Sequence, residues 1–262
     1  MREITDLAEI KRILAQILNS VAKYCDEHHL RYYLVFGTLL GAVRHNGFIP
    51  WDDDVDIMMP REDYEKFVAS FSAERYKISE VKTDREYYYP FAKVYDSATL
   101  IQENLNEKSN FGLYIDVFPM DGVPDGHRFH QKLLVFLQKA LKNKYTLLER
   151  KRSKIKQFLL PMTKALLKPV KIHDIARLID RLSARYSYAQ NENVGVSVWG
   201  YYYLAYKKSD IEPGAKLRFE DGTYSVPGNY DAILTKTYGD YMKLPPPEKR
   251  TVKHGYHAYY ID

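Results

Sequence analysis

The sequence predicts an α/β (α+β) protein, a sheet covered by helices, with a helical and basic segment inserted in its second half. Three observations predict it. Apolar residues at three-to-four spacing near the N-terminus make one helical face, short apolar runs bounded by turns follow in the manner of strands, and a Leu-rich, Lys-rich stretch from His127 to about Lys168 turns helical again. At 262 residues and 45% hydrophobic, the chain is long enough to bury a sizeable core.

Ile4, Leu7, Ile10, Leu14, Ile17, Leu18 and Val21 predict an amphipathic helix running to about Asp26, capped by Thr5 or Asp6. Adjacent His28 and His29 read as a helix-exit loop, because neighbouring rings point apart and suit no common metal. Leu30 to Phe36 is the first core strand, ending at a Gly37-Thr38 turn. A short helix over Leu39 to Arg44, a His45-Asn46-Gly47 turn, a strand over Val55 to Met59 and a helix over Asp63 to Ser70 come next. Pro90 to Val94, Thr99 to Ile101 and Tyr114 to Phe118 are further strands. Ile172 to Tyr186 is a second amphipathic helix. Gly222, Pro227 and Gly228 punctuate a loop region, and Tyr230 to Tyr238 is the last helix. The expected division is 1–126 for the core, 127–190 for the basic helical segment and 191–262 for a C-terminal segment packing on the core.

The most informative stretch is Ile49-Pro50-Trp51-Asp52-Asp53-Asp54-Val55-Asp56, four acids in five positions that run into apolar Ile57-Met58-Met59. As a strand it would place Asp52, Asp54 and Asp56 on one face. Such a ladder repels itself unless a cation sits before it, which points to a divalent ion bound through oxygen, Mg²⁺ or Mn²⁺. A calcium loop is excluded by Ile57 where the sharp turn wants Gly and by Asp63 where a bidentate Glu is usual. Asp116 stands alone between Ile115 and Val117, where an unpartnered carboxylate is costly. A metal shared with Asp54 and Asp56 is favoured over pairing with Lys93 or Arg44. Three carboxylates beside a Gly37-Thr38 turn whose backbone can approach a phosphate suit metal-assisted phosphoryl transfer.

The formal charge of +5 is mild and is concentrated in a patch that begins with Lys139, Lys142, Lys144, Arg150, Lys151 and Arg152. No recognition-module, zinc or helix-turn-helix pattern accompanies it, so nucleic acid is not the expected partner. Apolar Phe158-Leu159-Leu160 and Leu166-Leu167 among those lysines give the pattern of an interfacial helix on an anionic membrane surface, or of a helix packed on the core with a solvated basic face. A single cysteine, Cys25, excludes an intramolecular disulfide. With no secretory apolar run and no stretch near the roughly 18 apolar residues of a membrane span, a cytoplasmic location is expected, at most peripheral on the inner membrane face.

Gly37-Thr38-Leu39-Leu40-Gly41, Arg44 and Ile49-Pro50-Trp51-Asp52-Asp53-Asp54-Val55-Asp56 resemble the signature of the LicD family of phosphotransferases, to which fukutin and fukutin-related protein are also similar. The resemblance extends through Tyr114-Ile115-Asp116-Val117-Phe118-Pro119-Met120-Asp121-Gly122 to Tyr238-Gly239-Asp240-Tyr241-Met242, Pro245-Pro246 and His254. It implies the nucleotidyltransferase fold, a mixed sheet flanked by helices, with Thr38 where the wider superfamily has a second small residue. It also implies transfer of a phospho-alcohol, typically phosphocholine from CDP-choline, to a sugar of a surface glycan or glycolipid precursor such as teichoic acid or lipopolysaccharide, with CMP leaving. Asp54 and Asp56 would then ligate Mg²⁺, supported by Asp52, and Asp116 would complete the site and orient or deprotonate the acceptor hydroxyl. Arg44 and Lys93 become candidates for the donor diphosphate or for counter-charges to the acids. Asp121 and His254 match family positions without a derivable role. A choline headgroup invites an aromatic cage, for which Tyr87 to Tyr89 and Trp199 to Tyr203 are sources if they are not ordinary packing. The rival enzyme is an Asp-x-Asp glycosyltransferase using a nucleotide sugar; the rival of another class is a non-catalytic calcium- and glycan-binding protein.

Overall fold

The computed structural model describes residues 1–103, 111–145, 170–199, 204–252 and 256–261. In chain order the described elements begin with β1 (Arg2–Ile4), α1 (Leu7–Glu27), β2 (Tyr33–Leu34), α2 (Phe36–His45), β3 (Asp56–Pro60), α3 (Arg61–Ser70), β4 (Tyr76–Ser79), β5 (Ala92–Asp96) and β6 (Thr99–Glu103). They continue with β7 (Tyr114–Gly122), α4 (Arg128–Tyr145), α5 (Ile172–Ser183), β8 (Asn193–Gly195), β9 (Tyr206–Lys207), α6 (Lys208–Ile211), β10 (Ala215–Phe219), β11 (Gly222–Val226), α7 (Tyr230–Tyr238) and β12 (Tyr256–Tyr260).

A seven-stranded mixed sheet is the centre, ordered β2-β3-β7-β5-β4, with β8 joining β7 and β9 joining β8. β3 and β7 run parallel; β2 against β3, and β5 against β7 and β4, run antiparallel. The α/β reading holds. Ile57, Met59, Val94, Ile115 and Val117 are almost wholly shielded from solvent, as strands covered on both faces require. Helix α1 lays Ile13, Leu14, Ile17, Leu18, Val21 and Cys25 on the core, and its N-cap Asp6 accepts from the Ala8 amide at 2.9 Å. Each such Leu or Ile contributes about 1.5–3 kcal/mol of burial.

Several boundaries differ from the sequence reading. Ile4 belongs to β1, which pairs with β12 in a small sheet ordered β1-β12-β6, so the two ends of the chain are stitched together. The first core strand shrinks to Tyr33–Leu34 because the chain turns into α2 at Phe36, whose φ of +49° is an unfavourable left-handed conformation for an aromatic residue. The loop region around Gly222 is a hairpin, β10–β11, with the Glu220 side chain accepting from the Phe48 amide at 2.8 Å. The expected interfacial helix from Phe158 to Leu167 lies outside the described residues.

Candidate active site

The parallel pairing of β3 with β7 sets Asp56 directly beside Asp116, so both carboxylates leave the same face of the sheet. On the other side of Asp116, β5 contributes Lys93 in register, with Nζ donating to Asp116 Oδ1 at 2.5 Å. Lys93 is 2% exposed. Its ammonium is surrounded by rings, 3.5 Å from the centroid of Tyr114, 4.5 Å from Tyr89 and 5.3 Å from Phe91, so cation–π contact and one carboxylate replace the water it has lost. Lys93 is therefore a counter-charge to Asp116, one of the two roles its position suggested.

Asp52 to Val55 are not a strand. β2 has already turned into α2 at that level, and the first ladder contact is the Val55 carbonyl accepting from the Asp116 amide at 2.9 Å, so Asp52 to Asp54 approach on an irregular lead-in. That lead-in is fixed nonetheless. Lys11 of α1 donates to the carbonyls of Ile49 and Pro50 at 3.1 and 2.9 Å, and the Asp52 amide closes a turn on Ile49 at 2.9 Å. A polar face of α1 gave the sequence reading no signal for Lys11.

Gly37 and Thr38 form the first turn of α2, not a strand-ending turn, and amides in a first turn have no preceding carbonyl to bond. The two acids converge there: a Cβ at Gly37 would lie 2.7 Å from Asp52 Oδ2 and 4.0 Å from Asp54 Oδ1. Glycine is needed for that approach, and the positive end of the helix favours the anions. The Thr38 hydroxyl accepts from the Asp56 amide at 2.8 Å, joining α2 to the start of β3. It holds backbone, and only its proton remains to be given to a phosphate. Gly41 has a separate reason, since its Cβ would meet the Gly47 carbonyl at 2.4 Å.

Burial pushes the Asp56 carboxyl well above the usual range, and the charges of Asp54, Asp116 and Asp52 push it further, with only Lys93 opposing. All four predicted acids are thus one electrostatic cluster. They have the hard-oxygen donor chemistry that Mg²⁺ or Mn²⁺ takes, and the missing Cβ of Gly37 leaves the concavity they line. Among the described residues no three His, Cys, Asp or Glu side chains are already gathered at ligand spacing, Asp116 being drawn to Lys93.

The remaining expectations sort differently. Arg44 is at the far end of α2, donating to the Tyr241 carbonyl at 2.8 Å and to His45 Nε2 at 3.0 Å, and so is no counter-charge to the acids. Asp121 is completely buried and takes two 2.7 Å bonds from Arg61, which also binds Asp180 at 2.7 Å; this pairing ties β7 to α3 and α5 and supplies the role the sequence did not. His254 lies outside the described residues, as do 200–203 of the aromatic stretch. Tyr87, Tyr88 and Tyr89 are buried core, Trp199 packs on Tyr89 and Phe91, and Tyr89 turns a ring face to the Lys93 ammonium.

The model of the LicD/FKTN/FKRP nucleotidyltransferase domain matches residues 29–172, which spans α2, the acidic lead-in, β3 and β7. Over the full length of both chains the protein is 29% identical to the lipopolysaccharide cholinephosphotransferase LicD of Haemophilus influenzae. Shorter stretches match two uncharacterized proteins, 36% identical in Rickettsia typhi over 26% of this chain and 23% of that one, and 44% identical in Rickettsia prowazekii over 19% of each. With more than half of the chain matched to the family model and the acids placed on paired strands beside a helix N-terminus, the protein belongs to the LicD family and carries its nucleotidyltransferase domain.

Proposed function

We propose that this LicD-type phosphotransferase moves phosphocholine from CDP-choline onto a sugar hydroxyl of a cell-surface glycan, lipopolysaccharide or teichoic acid. The observation that carries the reading is the convergence of Asp52, Asp54 and Asp116 around Asp56, set against the first turn of α2, in a chain that matches a cholinephosphotransferase end to end. Asp54 and Asp56, with Asp52 in support, are the residues to hold Mg²⁺ or Mn²⁺. When bound, the ion neutralises the diphosphate and lowers the charge cost of the departing CMP. Amides of the α2 first turn are placed to bind a phosphate oxygen. Asp116 orients the acceptor hydroxyl and takes its proton as the oxygen attacks phosphorus and the bond to CMP breaks; Lys93 holds that carboxylate in place.

A peripheral site on the cytoplasmic membrane face fits the outer side of α4. Phe129 and Phe136 are 82% and 61% exposed there, and Arg128–Tyr145 contains no acid but carries Arg128, Lys132, Lys139, Lys142 and Lys144. Among the described residues no helix is long and apolar enough to cross a membrane. Two partly inserted rings and basic groups worth about 1 kcal/mol each near anionic lipid suffice for reversible binding. Sedimentation with anionic but not neutral vesicles at low salt, lost at high salt, is expected; equal sedimentation with both contradicts it.

Incubation with CDP-choline, CDP-ribitol, CDP-glycerol and UDP-sugars, scoring the nucleotide released, tests the donor. CMP from CDP-choline is expected. CMP from another CDP-alcohol corrects the donor, UDP release selects the glycosyltransferase reading, and no release from any donor in the presence of acceptor selects a non-catalytic binder.

A further inference from the structure

Basic residues from three segments gather at the end of α2 away from Gly37. Arg44 and His45 close the helix, Lys11 faces them from α1, and Arg250 arrives from the C-terminal segment, its guanidinium 5.6 Å above the Trp51 ring and its Nε donating to the Pro245 carbonyl at 2.8 Å. The His45 and Trp51 rings meet edge to face at 6.5 Å. Burial and then Arg250 lower the pKa of Arg44; burial, Arg44 and Lys11 lower that of His45. The two guanidinium groups repel each other, while His45, whose Nε2 accepts from Arg44, is held toward its neutral form.

The molecule treats its other partly buried arginines differently. Arg31 is paired with Asp63, Arg61 with Asp121 and Asp180, and Arg75 with Asp96, at 2.6 to 2.7 Å. Among the described residues no carboxylate is paired with Arg44 or Arg250, whereas Lys11 lies in the field of Asp52, Glu220 and Asp53. Two guanidinium groups with no paired acid among the described residues, on a fixed helix end and beside an aromatic ring, have the chemistry of an anion site. Seven residues of α2 separate Arg44 from Gly37, about 10 Å along the helix, longer than one diphosphate. Trp51, which borders the corner, is followed directly by Asp52.

We propose that Arg44, His45 and Arg250, with Trp51 as a wall, form a subsite for an anionic group, a phosphate or carboxylate, on the acceptor glycan. The subsite would hold that group about one helix length from the reacting hydroxyl. The assignment to an acceptor rests on the transferase reading above; the assignment to an anion does not.

The test starts with protein freed of divalent ions by a chelator, in which the carboxylate cluster repels anions. Inorganic phosphate, glucose 6-phosphate and glucose are titrated by calorimetry at low ionic strength into wild type, Arg250→Ala, Arg250→Lys and His45→Gln, with circular dichroism as the check on folding. Phosphate and glucose 6-phosphate should bind and glucose should not, with affinity weakened about tenfold in Arg250→Ala and less in Arg250→Lys. Phosphate binding that requires Mg²⁺, or that is equal in wild type, Arg250→Ala and His45→Gln, overturns the site. In turnover, Arg250→Ala should raise KM for the acceptor with KM for the donor unmoved; the reverse assigns the corner to the donor diphosphate and overturns the acceptor claim. Failure of every donor to release nucleotide strikes the transferase reading alone, because metal-free phosphate binding is read independently.

Discussion

Two clusters of buried charge stand five residues apart on β7, one at Asp116 and one at Asp121, and they are built on opposite rules. At Asp121 each carboxylate has a basic partner, although burial still raises the Asp121 pKa: Arg61 gives two bonds to Asp121 and one to Asp180, and Lys82 joins Glu65 at 2.5 Å and Asp180 at 3.6 Å. Burial works against the Arg61 charge, but the Asp121 carboxylate, its hydrogen bonds and Asp180 more than reverse this and hold the guanidinium pKa well above normal. At Asp56 and Asp116, by contrast, like charges dominate: Asp54, Asp116 and Asp52 all raise the proton affinity of the buried Asp56 carboxyl, and Lys93, paired with Asp116, lowers it. Burial of acids is common to both. A buried carboxyl pushed up by three neighbouring acids is the feature that suits a cation, because a bound divalent ion relieves that repulsion.

The sharpest way to break the comparison is to neutralise one acid in each cluster. Asp54→Asn and Asp56→Asn should lower transfer by on the order of a thousandfold or more while the melting temperature stays level or rises, since repulsion is relieved. Full activity in either variant, read by CMP release, contradicts the metal role. Asp121→Ala should do the opposite, costing about 3–5 kcal/mol of stability because Arg61 loses its bidentate partner while remaining buried. Denaturant unfolding measures it, and a loss under about 1 kcal/mol would show the Arg61 network to be weaker than its geometry implies.

A third, smaller effect concerns pH. The folded pKa of Asp56 lies above its unfolded value, so in the metal-free protein the native state binds more protons than the unfolded state between about pH 4 and the raised value. Stability should fall as pH rises through that window and be greatest at its acid end. Melts in chelator from pH 4 to 8 should show this fall in wild type and a flatter profile in Asp56→Asn; identical profiles contradict it. The smallest effect is expected at the rim of the paired cluster. Lys82 and Glu65 are 38% and 39% exposed, so Lys82→Ala should cost no more than about 1 kcal/mol despite the short contact.

The contrast also explains what the sequence could and could not reveal. Four acids running into Ile57-Met58-Met59 were legible as one cluster because local spacing alone brings them together, and Asp116 was legible because an acid between Ile115 and Val117 needs an answer. The answer itself was only half legible. Lys93 as the partner depends on the antiparallel register of β5 with β7, and Arg61 as the partner of Asp121 depends on α3 crossing β7, neither of which local pattern encodes. Helices α1 and α7 came close to their expected spans through periodicity and caps. β2 fell short because the same apolar run, Leu30 to Phe36, continues into α2, and β10–β11 hid in a region read as loop from its Gly and Pro residues. Thr38 and Gly41 look alike as motif residues, yet one holds the Asp56 amide and the other clears the Gly47 carbonyl.

The central claim is that the converging carboxylates at the start of β3 and on β7 are a divalent-ion site, whereas the ion-paired cluster at the other end of β7 is not. Calorimetric titration of Mg²⁺ and Mn²⁺ into wild type, Asp56→Asn and Lys82→Ala tests it most directly. The account predicts saturable binding to wild type with proton release, because a carboxyl with a raised pKa must ionise to ligate, unchanged binding to Lys82→Ala, and loss of at least about tenfold in affinity in Asp56→Asn. Equal affinity in wild type and Asp56→Asn would contradict it.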